Sequence, residues 1–211
     1  MAVRIENGET ILFIGDSITD CGRRDENKPL GDGYVKLFSD FLTIREPEKR
    51  INIINEGING NRITDLRDRW NDDVLQHRPD WLSIKIGIND TNSFLRQVPD
   101  VVDTETFEQV YDDILARTKK ALPKCQILLI EPFFISIDKD SDVLKTLSQY
   151  INIIRAMSEK YQTRLIRTHE IFANLLKFKK ADAFCPEPVH PNLTGHLVIA
   201  EAVYQALERK K

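Results

Sequence analysis

Ile11–Ser17 reads Ile-Leu-Phe-Ile-Gly-Asp-Ser, a short apolar run that ends in a glycine, an acid and a serine. Four consecutive apolar residues are too few for a useful helix and predict a buried strand. Gly15 permits a tight turn where this strand ends. A serine after that turn can present both its hydroxyl and its backbone N–H at the carboxyl end of the strand. The alternative is that Asp16 or Ser17 only caps a helix.

Further apolar runs follow the first and alternate with amphipathic segments. Strands are predicted at residues 51–54, 81–86, 127–130 and 164–166. Apolar residues recur at helical spacing between Tyr34 and Leu42, Val110 and Ala121, Leu144 and Met157, and Asn192 and Leu207. Repeated strand–helix units predict a parallel sheet covered on both faces. Because the sequence shows no linker and no repeat, residues 1–211 are interpreted as one α/β domain.

The composition is that of an ordinary globular protein and excludes several classes of function. The chain has 211 residues, of which 41% are hydrophobic and 30% charged, which suits one sizeable core. A net charge of -3 with dispersed Lys and Arg gives no reason to expect nucleic acid as a partner. Cys21, Cys125 and Cys185 form no CxxC pair, so neither a disulfide framework nor a zinc site is predicted.

The sequence shows no sign of a signal peptide and no apolar stretch near the roughly 20 residues that a membrane helix needs. We therefore expect a cytoplasmic protein without a membrane span. We also expect no metal and no other cofactor, since the candidate chemistry below requires neither. A homo-oligomer is possible, because Phe94 and Leu95 are apolar residues in the predicted loop after the third strand.

A histidine near the other end of the chain is the candidate base for Ser17. His190 lies among three prolines, which predict a rigid non-helical loop before the last helix. A serine hydroxyl needs a base whose pKa lies near the working pH, and histidine is the usual one. Glu187 precedes His190 by three residues and can accept the other imidazole N–H. Asp182 is the rival for that role, and His196, inside the predicted last helix, is interpreted as structural.

Two turns lie between these ends of the chain and also follow predicted strands. Gly57–Gly60 follows the second strand, and Gly87–Asp90 follows the third. Ligands of open α/β sheets bind at the carboxyl ends of the strands, so these turns and Ser17 are predicted to meet. The Gly60 N–H can approach a substrate closely, and Asn89 carries an amide donor, as an oxyanion requires. Taken singly, each residue also fits an ordinary turn or helix cap.

Together the four segments resemble the SGNH superfamily of GDSL-type esterases and acylhydrolases. Ile14–Thr19 is similar to its first block, Asn55–Asn61 to its second, Ile86–Asp90 to its third and Val189–Asn192 to its last. One such block is weak evidence, but four in order over nearly the whole chain are specific. The resemblance implies a flavodoxin-like, three-layer α/β/α sandwich with a parallel five-stranded sheet.

The resemblance also implies a role for each candidate residue. Ser17 is then the nucleophile and His190 the base. The oxyanion hole is formed by the backbone N–H groups of Ser17 and Gly60 and by the side chain of Asn89. This constellation predicts a carboxylic ester hydrolase that works through an acyl-enzyme and needs no cofactor.

One position departs from the pattern of the superfamily. The family pattern is Asp-x-x-His, whereas this chain reads Glu-Pro-Val-His over Glu187–His190. Glutamate serves in Ser-His-acid triads elsewhere, although its extra methylene shifts the carboxylate. Either Glu187 orients the imidazole, or Asp182 or a backbone carbonyl does so, or the third member is lost. We take Glu187 as the predicted third member.

The substrate class is predicted from a second, narrower likeness. The stretches Gly15–Arg23, Gly33–Val35 and Arg69–Trp70 are similar to the carbohydrate-esterase branch that contains acetylxylan esterases. The resulting hypothesis is a serine esterase that removes short acyl groups, above all acetyl, from a small molecule or a carbohydrate. The alternatives are a lysophospholipase or acyl-thioesterase with longer acyl chains, and a binding protein of the same fold with weakened catalysis.

Overall fold

The computed structural model describes residues 3–138 and 140–208, which form five parallel strands and the helices around them. The strands are β1 Thr10–Gly15, β2 Asn52–Gly57, β3 Trp81–Lys85, β4 Gln126–Ile130 and β5 Arg164–Ile166. Their order in the sheet is β2-β1-β3-β4-β5, which is the flavodoxin-like order. The predicted fold class and five-stranded parallel sheet are therefore confirmed. Each predicted strand coincides with an observed strand, and the boundaries agree within one residue except at the end of β2, which extends to Gly57 rather than Ile54.

The helices are α1 Ser17–Asp20, α2 Tyr34–Arg45, α3 Ile63–Trp70, α4 Ile88–Arg96, α5 Thr104–Ala121, α6 Asp142–Tyr161, α7 Thr168–Leu175 and α8 Leu193–Leu207. A π-helical turn, Asn71–Leu75, continues α3, and a 3-10 turn, Ala181–Ala183, follows α7. The four predicted amphipathic segments correspond to α2, α5, α6 and α8. The helices α3, α4 and α7 span only eight or nine residues, too few for a clear apolar stripe.

The helices cover both faces of the sheet and create two cores. Neighbouring residues of a strand point to opposite faces, so Phe13 and Leu12 of β1 belong to different cores. Phe13 packs with Val203 of α8 on one face, and Leu12 shares the other core with Ile114 of α5. These two cores are the interfaces between the three predicted layers.

The strand order determines where a ligand can bind. Between β1 and β3 the order of connection reverses, and at such a switch point the carboxyl ends of the strands leave a crevice. Gly15 at the end of β1 is in register with Gly57 of β2 on one side and with Lys85 of β3 on the other. The segments that follow these three strands therefore meet at one edge of the sheet, as predicted.

The loop predicted after the third strand is instead a helix, α4. Phe94 and Leu95 lie in α4 rather than in a loop, both are partly buried, and Phe94 packs against the core. They therefore do not support a homo-oligomer, which stays a prediction. Among the described helices, none combines the length and the apolar character that crossing a membrane requires.

Candidate active site

Ser17, His190 and Glu187 are joined by a chain of hydrogen bonds. The Oγ atom of Ser17 lies 3.0 Å from Nε2 of His190. On the other side of the ring, Nδ1 of His190 lies 2.5 Å from Oε1 of Glu187. The chain thus links residues that are 173 positions apart in the sequence. It has the order of hydroxyl, imidazole and carboxylate that a serine nucleophile requires.

The Glu187 carboxylate is fixed by its own loop. Its Oε1 accepts the backbone N–H of His190 at 2.7 Å, and its Oε2 accepts that of Val189 at 3.0 Å. Burial alone would raise the Glu187 pKa, but these two backbone bonds and the imidazole of His190 outweigh burial and lower it. The loop is attached to the rest of the fold by the Ile135 N–H, which donates to the Pro188 carbonyl at 2.8 Å. The carboxylate is therefore ionised and oriented before any substrate arrives.

The turn after β1 sets the position of Ser17. Asp16 is the N-cap of α1, and its Oδ1 accepts the Ile18 N–H at 3.0 Å. The strand end must be glycine, because a Cβ on Gly15 would lie 2.2 Å from the carbonyl oxygen of Lys85. The capping role and the catalytic role predicted for this segment are therefore compatible. Asp16 caps the helix, while Ser17 begins it and faces His190.

The candidate oxyanion donors lie in the segments that follow β2 and β3, the two strands that flank β1. Gly60 has a φ of +80°, which favours glycine, and the space beside its Cα is open. Asn89 lies in the first turn of α4, so the predicted turn at Gly87–Asp90 is in fact a helix start. The Asn89 amide donates to the Asn61 carbonyl at 3.0 Å, which ties α4 to the turn that contains Gly60. The amide has two N–H groups, so one remains for a ligand.

Arg69 braces this arrangement and was not singled out from the sequence as a site residue. Its Nε donates to Oδ1 of Asn61 at 2.9 Å, and its Nη2 donates to the Gly15 carbonyl at 3.4 Å. Its Nη1 is paired with Asp73 at 2.5 Å. One guanidinium therefore connects the end of β1 with the turn after β2. The available signal was the likeness of Arg69–Trp70 to the carbohydrate-esterase branch, which gave this arginine no role.

The remaining sequence candidates have other surroundings. His196 lies in α8, and its Nδ1 accepts the Tyr34 N–H at 3.2 Å. Burial lowers the His196 pKa to about 4, so this imidazole is neutral and structural, as interpreted. Asp182 is exposed, and its backbone carbonyl accepts the amide of Asn192 at 3.1 Å. Within residues 3–138 and 140–208, the Asp182 side chain makes no hydrogen bond to His190.

Nothing in the described residues resembles a metal centre. No group of three or more His, Cys, Asp or Glu side chains lies close enough there to hold an ion. The three cysteines are free thiols.

Comparison with known proteins decides the family. The profile of the GDSL-like lipase/acylhydrolase family matches residues 13–198, which include every segment of the site. The chain belongs to the GDSL-like lipase/acylhydrolase family. The predicted resemblance to this group is therefore confirmed, and with it the class of carboxylic ester hydrolases.

Individual relatives cover the chain almost completely. An acetylxylan esterase from Geobacillus stearothermophilus is 35% identical over 210 residues, which is 95% of this chain and 94% of the relative. Its crystal structure has a TM-score of 0.90 at 34% identity and covers 98% of this chain and 97% of that chain. An alpha/beta hydrolase enzyme from the metagenome of Lake Arreo, Spain, has a TM-score of 0.90 at 30% identity, and the match covers 98% of both chains.

Proposed function

We propose that this GDSL-family hydrolase removes acetyl groups from carbohydrate esters, with Ser17 as nucleophile, His190 as base and Glu187 as the orienting acid. The observation that carries the proposal is the continuous chain of hydrogen bonds from Ser17 Oγ through His190 to Glu187. In such a chain the imidazole can take the serine proton at one nitrogen while the carboxylate holds the other.

The geometry supports an acyl-enzyme mechanism in two halves. Ser17 Oγ attacks the ester carbonyl as its proton passes to His190 Nε2. The negative charge on the carbonyl oxygen is stabilised by the N–H groups of Ser17 and Gly60 and by the free N–H of Asn89. His190 then protonates the departing alcohol. A water molecule, deprotonated by His190, attacks the acetyl-serine carbonyl. The bond to Ser17 Oγ then breaks, His190 returns the proton to that oxygen, and acetate is released.

Two observations support a sugar ester as the substrate. The side chains of His190 and Glu187 are 58% and 48% exposed, so a bulky alcohol can approach the site from solvent. The Geobacillus stearothermophilus relative is named an acetylxylan esterase. Catalytic mutants of that esterase replace a serine, an aspartate or a histidine by alanine, and its aspartate precedes its histidine by three residues. Glu187 and His190 have the same spacing, which supports the role of Glu187.

The test is a panel of acetylated xylooligosaccharides and of 4-nitrophenyl esters with two to eight acyl carbons. We expect acetate release from the acetylated sugars and rates that fall with acyl length. Ser17→Ala should abolish hydrolysis and labelling by a fluorophosphonate, whereas Ser148→Ala, on the exposed face of α6, should change neither. Rates that rise with acyl length would favour the lysophospholipase or thioesterase alternative. Full activity of Ser17→Ala would refute the mechanism.

A further inference from the structure

A fully buried lysine lies beside the turn that carries the nucleophile. Lys85 is the last residue of β3, in register with Gly15 of β1. Its Nζ lies 3.8 Å from Oδ1 of Asp16, and both side chains have an exposed fraction of 0%. A buried charge is unfavourable unless it is paired, so the two side chains depend on each other.

The surroundings of Lys85 leave Asp16 as its counter-ion. Burial lowers the Lys85 pKa, and the Asp16 carboxylate opposes that effect. Among the described residues, three other titratable side chains interact with Lys85. Burial raises the pKa of the Cys21 and Cys185 thiols to about 12 and lowers the pKa of the His196 imidazole to about 4, so all three are neutral. The Lys85 Nζ also lies 5.0 Å from the centre of the Phe133 ring, a favourable contact for a cation.

Asp16 in turn fixes the backbone on both sides of Ser17. Its Oδ1 accepts the N–H of Ile18 at 3.0 Å, and its backbone carbonyl accepts the N–H groups of Thr19 at 3.1 Å and Asp20 at 2.9 Å. Ser17 lies between the residue that accepts these bonds and the residues that donate them. The direction of its N–H and the position of its Oγ therefore follow from the orientation of Asp16.

We propose that Lys85 is a positioning residue for the nucleophile, because its buried ammonium holds Asp16 in the orientation that fixes the Ser17 backbone. This role rests on the proposed function, in which Ser17 supplies the attacking hydroxyl and one oxyanion donor. Without Lys85, the Asp16 carboxylate is buried with no counter-ion among the described side chains. It then turns towards solvent or takes up a proton, and either change weakens its bond to the Ile18 N–H.

The experiment compares Lys85→Met, Asp16→Asn and the double variant by steady-state hydrolysis of 4-nitrophenyl acetate. Lys85→Met should lower kcat by about 10²-fold, as loss of one oxyanion donor does, with little change in KM. The double variant should regain at least about tenfold of that loss, because a neutral amide keeps the cap and needs no counter-ion. Ser83→Ala is the matched control, and its kcat should be unchanged. Ser83 is also fully buried on β3, and its hydroxyl has no hydrogen-bond partner among the described residues.

Equal losses in Lys85→Met and the double variant would overturn the positioning role, since a residue that only fills space would give no rescue. If Lys85→Met does not fold, as judged by near-UV circular dichroism, the comparison of Asp16→Asn with the double variant decides. If Lys85 acts through the Asp16 carboxylate, the kcat values of Asp16→Asn and the double variant should agree within about threefold. A kcat of the double variant that is a further tenfold below that of Asp16→Asn would contradict the proposal. Activity in Ser17→Ala would instead refute the proposed function, independently of Lys85.

Discussion

Replacing Asp90 by asparagine should raise the free energy of unfolding relative to wild type at alkaline pH. Loss of a charged hydrogen-bond acceptor usually has the opposite effect. Asp90 has no exposed surface, and its Oδ1 accepts the Ile63 N–H at 2.9 Å, at the start of α3. Its Oδ2 is buried without a hydrogen bond among the described residues. Burial raises the Asp90 pKa from its ordinary value of 3.8 to about 7.

The sign and size of the effect follow from this pKa. Between 3.8 and about 7 the folded protein keeps a proton that the unfolded chain releases, so stability falls as pH rises through this window. A shift of this size corresponds to about 4 kcal/mol, at about 1.4 kcal/mol for each pKa unit. Asparagine keeps the acceptor for the Ile63 N–H and does not ionise. The stability of Asp90→Asn relative to wild type should therefore rise by about 3 kcal/mol from pH 4.5 to pH 8, where most of the ionisation occurs.

The assay is urea unfolding followed by the fluorescence of the two buried tryptophans, Trp70 and Trp81, at several pH values. The quantity of interest is the difference between the two free energies of unfolding at each pH, because a constant cost of the amide cancels from its slope. Asp25→Asn, at an exposed aspartate, is the control and should give a flat difference. Parallel curves for Asp90→Asn and wild type would refute the inference that Asp90 is held protonated by burial.

The remaining predictions concern the site and are measured by initial rates on 4-nitrophenyl acetate. Glu187→Gln should lower kcat by about 10⁴-fold, because an amide favours the wrong imidazole tautomer; a loss below tenfold would contradict the role of Glu187. Gly60→Ala keeps the backbone N–H but adds a Cβ at a φ of +80°, so backbone strain should destabilise by about 1 kcal/mol, and the resulting shift of the N–H should lower kcat by up to about 10²-fold; destabilisation with unchanged kcat would argue against the Gly60 N–H as an oxyanion donor. Arg69→Lys should lower kcat by up to about 10²-fold, since an ammonium cannot bridge Asn61 and Gly15 as a fork does; wild-type rates would show that this brace is dispensable.

Much of the fold was accessible from the sequence because each strand contains a short apolar stretch, which is longest in β1 and β4. Ile11–Ile14 and Ile127–Ile130 are buried on both faces of the sheet, and such runs are typical of strands in a covered parallel sheet. The long helices were accessible for the related reason that each carries an apolar stripe. The helix α4 was not, because its first turn contains Asn89 and Asp90, whose polar side chains serve the site and its supports rather than the core.

The candidate triad and oxyanion residues were also accessible, since each follows a strand or lies in a proline-rich loop. The side chains that hold these residues in place were not accessible from the sequence. Lys85 is the last residue of β3, and the pattern alone does not reveal that its ammonium lies beside Asp16, which follows the neighbouring strand β1. Arg69 entered the sequence analysis only through the likeness of Arg69–Trp70, and its distances to Asn61 and Gly15 are what reveal its bracing role. Such pairs join residues remote in sequence, which local patterns do not encode.

The substitution of glutamate for aspartate in the Asp-x-x-His pattern shows how a local loop can absorb a change in side-chain length. The Glu187 carboxylate does not reach only for the imidazole, since it also accepts the two backbone N–H groups of Val189 and His190. The longer side chain is accommodated because it folds back over its own loop, where its carboxylate accepts these backbone N–H groups and contacts the imidazole. Because the same Oε1 accepts both the backbone and the ring N–H of His190, the loop conformation and the imidazole orientation are set by one atom. Glu187→Asp shortens the side chain, so it should weaken the loop contacts and the imidazole contact together. In that case kcat on 4-nitrophenyl acetate and the melting temperature of the protein should fall in parallel.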